Sequence, residues 1–285
     1  MMRKLKDKNC CLLLLIGLMI PVLTQAQQVP ISMVYKTIDT TKLTLNIYYP
    51  ENYHKGQILP AIVLFFGGGW VNGSVKQMEP QAKHFVATEG IIAITADYRV
   101  QSRQKTTPFD AVRDAKSAIR YLRGHAKELG IDPNRLAAGG GSAGGHIAAA
   151  ADLTSLDEPG EDRSISSRPN ALVLFNPVFN NGPDNYGYER IGDRYPEISP
   201  FHNIKKGAAP TIAFFGTKDK FVPVATAQLY KKVMEENGNR CDLFFYNDQP
   251  HGFFNYKAGT DNKYFNITTQ EADKFLKSLG YTQPL

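Results

Sequence analysis

Cysteine is scarce in this chain. The 285 residues hold three, and two of them, Cys10 and Cys11, fall within the first eleven. Cys241 stands alone in the remainder, which excludes an intramolecular disulfide there. It opens an apolar stretch, Cys241 to Tyr246, and reads as a small buried hydrophobe rather than a reactive thiol. Internal repeats and low-complexity linkers are missing, so one domain is expected from a chain long enough for one large core. Charge of one sign is also in short supply. The formal balance is +6, and Arg3, Lys4, Lys6, Lys8 and Asp7 supply a net three of it. Without that segment the excess is +3, and no Lys/Arg stripe alternates with aromatics, so no nucleic-acid partner is expected.

Long apolar runs are absent too. The stretch Leu12 to Ile20 ends at Pro21 and is too short to span a bilayer comfortably. With the basic residues before it and Thr24-Gln25-Ala26 after it, the pattern is that of a secretory leader, residues 1–26, cleaved after Ala26. The competing reading is an uncleaved N-terminal anchor. Lipidation is disfavoured because Cys10 and Cys11 precede the apolar run. The expected product is an exported protein, periplasmic or secreted, with no stable membrane insertion, whose residues 27–285 form a single domain.

What is present is an alternation. Ala61 to Phe66, Ile91 to Ala96, Arg135 to Ala138, Ala171 to Phe175, Thr211 to Phe215 and Asp242 to Tyr246 are nearly continuous apolar runs, as strands buried on both faces require. Met33 to Asp39 and Leu43 to Tyr49 alternate more and read as an antiparallel edge pair. Helical patterns cover Glu79 to Glu89, Pro108 to Leu129, Ser142 to Leu153, Pro223 to Asn237 and Thr268 to Leu279. The fold class is therefore α/β, a mostly parallel sheet with helices on both faces. Chemistry in such sheets sits beyond the carboxyl ends of the strands.

Gly140-Gly141-Ser142-Ala143-Gly144 fits G-x-S-x-G between a strand and an Ala-rich helix, the context that a nucleophile elbow needs. The competing reading is a glycine-rich turn whose serine caps a helix. A serine hydroxyl needs a base to become a nucleophile. Of His54, His84, His125, His146, His202 and His251, His54 precedes the sheet core, His84 and His125 fall in helices, and His146 lies one turn into the helix that Ser142 opens, suited to packing or capping. His251 alone follows the last apolar strand, in Asn247-Asp248-Gln249-Pro250-His251-Gly252-Phe253. Asp219 follows the strand beside it and is favoured over Asp248 as the carboxylate that orients the imidazole, giving the chain order Ser, Asp, His.

Acyl chemistry also needs amide donors aimed at a developing oxyanion. Gly67-Gly68-Gly69-Trp70 follows the strand Ala61 to Phe66, and N–H groups of Gly68, Gly69 and Ala143 are the expected donors. A phosphate cradle would want Lys-Ser/Thr after the glycines, where Trp70-Val71-Asn72 stands.

Phe65-Phe66-Gly67-Gly68-Gly69-Trp70, Asp97-Tyr98-Arg99, Gly139 to Gly145 and Gln249-Pro250-His251-Gly252-Phe253 together resemble the α/β-hydrolase fold-3 esterases, the hormone-sensitive-lipase-like bacterial carboxylesterases and acetyl esterases. The similarity runs from about Leu43 to Leu279. It implies the α/β-hydrolase fold, hydrolysis of short-chain carboxylic esters through an acyl-enzyme, and an oxyanion hole at Gly68, Gly69 and Ala143. One departure is plain: the family usually has His where this chain has Phe66, which bears on the loop's support rather than on the reaction. The long N-terminal cap of many members has no counterpart, which implies a compact, open site. Gly67, Trp70, Tyr186 and Tyr188 are the expected substrate-binding residues. The three rings either stack on a sugar or pack against the surface excursion from Asn176 to Pro200. Tyr98 and Arg99 are expected to support the fold, and Asp110, Arg113 and Asp114 to form a charged helix face. No cofactor or metal is called for. The expected partner is a small ester or acetylated saccharide; a serine peptidase of the same fold and a non-catalytic binding protein on this scaffold are the alternatives.

Overall fold

A computed structural model describes residues 29–282 of the chain. The expected leader, with Cys10 and Cys11, lies outside them. Eight strands form one sheet in the order β1-β2-β4-β3-β5-β6-β7-β8. β1 (Ile31–Ile38) and β2 (Thr41–Tyr48) are the antiparallel edge pair that their alternation predicts, and β2 also runs antiparallel to β4 (Ile92–Ala96). From β4 across β3 (Leu59–Phe65), β5 (Ile131–Gly141), β6 (Leu172–Phe175), β7 (Thr211–Gly216) and β8 (Cys241–Tyr246) every pairing is parallel. The helices are α1 (Glu79–Glu89), α2 (Gln101–Gln104), α3 (Pro108–Gly124), α4 (Ala126–Leu129), α5 (Ala143–Leu153), α6 (Tyr188–Ile191), α7 (Val224–Glu236) and α8 (Lys263–Ser278).

Three elements depart from the sequence reading by more than two residues. β5 extends from Ile131 to Gly141: Ile131 pairs with Leu59 and Leu136 with Ala61, and Asp132 to Arg135 bulge out between those two pairings. The single helix expected over 108–129 breaks at His125, whose backbone (φ −104°, ψ 18°) leaves the helical region after Gly124. α8 begins five residues early, at Lys263, its first turn being polar outward. The charged helix face expected at Asp110, Arg113 and Asp114 is also corrected. Asp114 is fully buried and binds Arg99 through both carboxylate oxygens (2.7 and 2.8 Å) and Lys36 (2.7 Å), tying α3 to the end of β4 and to β1.

The core is densest where β3 and β5 lie side by side beneath α5. Every side chain from Ala61 to Phe66 is buried, as is all of α5. Gly144 makes this possible: a Cβ placed on it would stand 2.1 Å from the carbonyl oxygen of Phe65 and 2.4 Å from that of Phe66. Among described residues the one free cysteine, Cys241, is buried, which pushes its thiol up to about 12 and keeps it protonated.

His146, on α5, is fully buried. It bonds Asn181 through Nε2 (2.9 Å) and meets the Trp70 ring edge-on, with centroids 4.9 Å apart. Burial lowers its pKa from 6.5 to about 4.

Two outcomes follow. Gly144→Ala gains about 1 kcal/mol of helix propensity but overpacks backbone against backbone. We expect a net loss of about 2 kcal/mol or more in urea unfolding; undiminished stability would refute the close-approach account. His146 is neutral when folded and free to protonate when unfolded, so its contribution to stability declines as pH falls from 6.5 toward 4. The stability advantage of wild type over His146→Asn should therefore shrink across that window by up to about 3 kcal/mol. A difference independent of pH would show that the imidazole is not held neutral.

Candidate active site

The parallel strands end together, and their following loops meet at one point. β5 runs directly into Ser142, whose backbone takes φ 51° and ψ −116°, and α5 begins one residue later. A non-glycine residue rarely adopts this conformation. It is fixed at both ends by bonds from Ser142 N to Phe175 O (2.8 Å) and from His146 N to Ser142 O (2.9 Å). The hydroxyl is thus turned out of the sheet at the head of a helix.

The loop after β8 carries His251 to that hydroxyl. Nε2 lies 2.9 Å from Ser142 Oγ and Nδ1 lies 2.7 Å from Asp219 Oδ2. Asp219, after β7, has a completely buried side chain; its other oxygen accepts N–H bonds from Phe221 (2.8 Å) and Val222 (3.0 Å). A carboxylate held at both oxygens presents a fixed acceptor to Nδ1–H. That leaves the Nε2 lone pair facing the hydroxyl, the arrangement needed to take its proton. Asp248, the competing candidate, points outward: its side chain is 75% exposed and pairs with Lys218. Asn176 was not singled out by sequence reasoning. It is buried at the end of β6 with φ 37°, its Oδ1 accepts Gly252 N–H (2.9 Å), and its Nδ2 lies 3.4 Å from His251 Nε2. The signal available was its place immediately after a strand, which Ser142 shares.

The glycine loop after β3 closes the other side. Gly68 has φ 124°, and a Cβ there would stand 2.1 Å from Asn72 O, so only glycine fits. The loop is held by Tyr98 Oη donating to Phe66 O (2.8 Å), by Gly67 N–H donating to Gln77 Oε1 and by Arg190 donating to Gly69 O. Gly68 O accepts from Val71 and Asn72. These bonds leave the N–H groups of Gly68, Gly69 and Ala143 uncommitted among the described residues. The Phe66 ring, where the resembled family has His, is buried and stacked on Tyr98 with centroids 4.1 Å apart. Tyr98 and Arg99 thus both brace the fold.

Gly67, Gly68, Gly69, Ser142, Tyr186, His251 and five further residues with Asn176 line a cavity of about 210 Å³; Gln77, Phe221, Gly252, Phe254 and Asn255 are those five. Two expected contact residues are corrected. Trp70 is 2% exposed and does not reach the cavity, being packed between His146, Tyr186 and the Arg190 guanidinium (5.3 Å from the indole centroid). Tyr188 also stays outside, its hydroxyl bonded to Asp193 (2.5 Å). The exposed aromatic at the mouth is instead Phe221, half exposed and edge-on to both His251 (5.0 Å) and Tyr186 (5.4 Å). Among the described residues no His/Cys/Asp/Glu cluster is placed to hold a metal, and no helix is long and apolar enough to cross a membrane.

Comparison with known proteins places this geometry. Residues 45–173 match the BD-FAE family model, and residues 184–278 match that of the dienelactone hydrolase family. An acetylxylan esterase of Xylanibacter ruminicola is 28% identical over 283 residues, covering 94% of this chain and 55% of its own length. Carboxylesterase NlhH of Mycobacterium tuberculosis is 35% identical over 111 residues, covering 38% of this chain and 33% of its own. The chain spans about half the length of the curated relatives it matches. Among solved structures, the propionate-bound thermophilic esterase Est2 of the planctomycete Thermogutta terrifontis is 43% identical with a TM-score of 0.84, covering 90% of this chain and 96% of that one. With identity this high over nearly both whole chains, the chain belongs to the bacterial carboxylesterases of the α/β-hydrolase fold.

Proposed function

We propose that this protein is a serine esterase that hydrolyses short-chain carboxylic esters, acetyl esters foremost, through an acyl-enzyme. The observation that carries the reading is the unbroken chain from Ser142 Oγ through His251 to the buried Asp219, at 2.9 and 2.7 Å. His251 Nε2 takes the Ser142 proton as Oγ attacks the ester carbonyl. Asp219 holds the tautomer and stabilises the imidazolium. The oxyanion is received by N–H groups of Gly68, Gly69 and Ala143, preorganised before the reaction begins. His251 returns its proton to the leaving alcohol, and a water repeats the attack on the acyl-enzyme.

A cavity of about 210 Å³ supports a small acyl group. The solved structures of propionate-bound and butyrate-bound Est2 support the same preference. Deacetylation of polysaccharide fragments is the finer reading, supported by the acetylxylan esterase relative and by the aromatic surface that Tyr186 and Phe221 offer at the mouth. Export of a single catalytic domain, residues 27–285, completes the proposal. Its support is the basic segment, apolar run and small residues of positions 1–26.

Turnover of p-nitrophenyl acetate should fall by on the order of 10⁶-fold in Ser142→Ala and 10⁴-fold in Asp219→Asn, with rates declining steadily from acetate to decanoate. Folded wild type inert toward all these esters would sink the reading, and a maximum at decanoate would sink its short-acyl part. Intact-mass analysis of the exported protein should find Gln27 at the N-terminus; retention of residues 1–26 would refute cleavage after Ala26.

A further inference from the structure

Gln77 belongs to none of the three groups that the proposed reaction uses, yet it lines the cavity. It ends a short 3₁₀ turn, Val75–Gln77, between the glycine loop and α1. Its Oε1 accepts the N–H of Gly67, the residue just before the two glycines whose amides are free. Its Nε2 donates to Asn255 Oδ1 at 3.1 Å. Asn255 in turn donates through Nδ2 to Gly252 O (2.8 Å) and through its backbone N–H to the same oxygen (3.1 Å). Gly252 follows His251, and its own N–H is held by Asn176.

We infer that Gln77 is a positioning residue, a strap that fixes the distance between the oxyanion loop and the histidine loop. The inference rests on the esterase reading above. Two loops bear on this geometry, 178 residues apart between Gln77 and Asn255, and Ser142 lines the same cavity as both. One group must accept from a backbone N–H on one side and donate to an amide oxygen on the other. A primary amide does both, whereas a carboxylate accepts only and an alkyl group does neither. The strap also occupies the Gly67 N–H, so that the amides of Gly68 and Gly69 are the ones left uncommitted. Neither Ser142 Oγ nor His251 Nε2 bonds Gln77, so its effect is exerted through geometry. Misplacement by about 1 Å costs on the order of 10²-fold in rate.

The test is steady-state hydrolysis of p-nitrophenyl acetate by the full chain, with active sites counted by stoichiometric phosphorylation with paraoxon. Per titrated site, Gln77→Leu should lower kcat on the order of 10- to 100-fold with KM changed less than about threefold. Gln77→Glu, which keeps the acceptor for Gly67 and loses the donor for Asn255, should fall between. Asn255→Ala should lower kcat as well, and the double variant Gln77→Leu with Asn255→Ala should be no worse than Gln77→Leu alone, since both cut one strap. A purely structural role would reduce the number of titratable sites and leave kcat per site unchanged, which would overturn the inference. So would strictly multiplicative losses in the double variant. Should Gln77→Leu fail to fold, Gln77→Glu and Asn255→Ala read against wild type decide the matter alone, and unchanged kcat in both refutes the strap. Wild type inert toward the ester would refute instead the esterase reading on which it rests.

Discussion

Everything at this site depends on how closely a helix can approach the two strands beneath it. α5 leaves β5 through one residue, Ser142, in a backbone conformation that side-chain-bearing residues avoid. It then lies against the end of β3 with no room for a methyl group at Gly144. The cost of that turn is local and is met by packing. All of α5 is buried, and backbone bonds to Phe175 O and from His146 N hold the serine on either side. Were the helix to stand off from the sheet, the hydroxyl would move away from the imidazole and the adjoining Ala143 amide would move with it. One contact therefore sets two distances.

The same close approach organises the glycine loop. Because β3 ends under α5, the loop after Phe65 must turn at once, and it does so through Gly68, in a region where Asn72 crowds out any side chain. The turn is braced from three directions, by Tyr98 at Phe66 O, Gln77 at Gly67 N and Arg190 at Gly69 O. Arg190 also lies over the Trp70 and Tyr186 rings. Trp70 itself has φ 60° and is packed out of reach of solvent. The chain's single tryptophan is thus part of the frame behind the oxyanion loop. The phenyl ring at 66 serves the same frame by stacking on Tyr98, which explains how the loop keeps its shape without the histidine expected there.

How far the sequence was legible follows from which forces are local. The strands β3, β4, β6 and β7 were readable because burial on both faces demands runs of apolar residues, and sequence records such runs directly; β8 shows such a run although, at the sheet's edge, it is mostly half-buried. The elbow was readable because Gly-x-Ser-x-Gly between a strand and an Ala-rich helix leaves few other conformations. Asp219 and His251 were readable from their places just after strands. Asn176 shares that place and was missed, because nothing in the composition of Asn176-Pro177-Val178 distinguishes a buried, bonded amide from a turn residue. Trp70 and Tyr188 were misread for the opposite reason. Aromatic character marks a ring that wants contact but does not say whether the contact is a ligand or the protein. The buried Asp114 was misread because its partners, Lys36 and Arg99, lie 78 and 15 residues away.

The sequence by itself determined the layer architecture and the strand–turn–helix of the elbow, since apolar runs and the Gly-x-Ser-x-Gly spacing record them locally. Only the tertiary structure decided which aromatics reach the cavity and which side chains brace the glycine loop. Those outcomes turn on contacts between loops from opposite halves of the chain. Side-chain direction at the end of a strand is set there by what packs against it, not by the residues beside it.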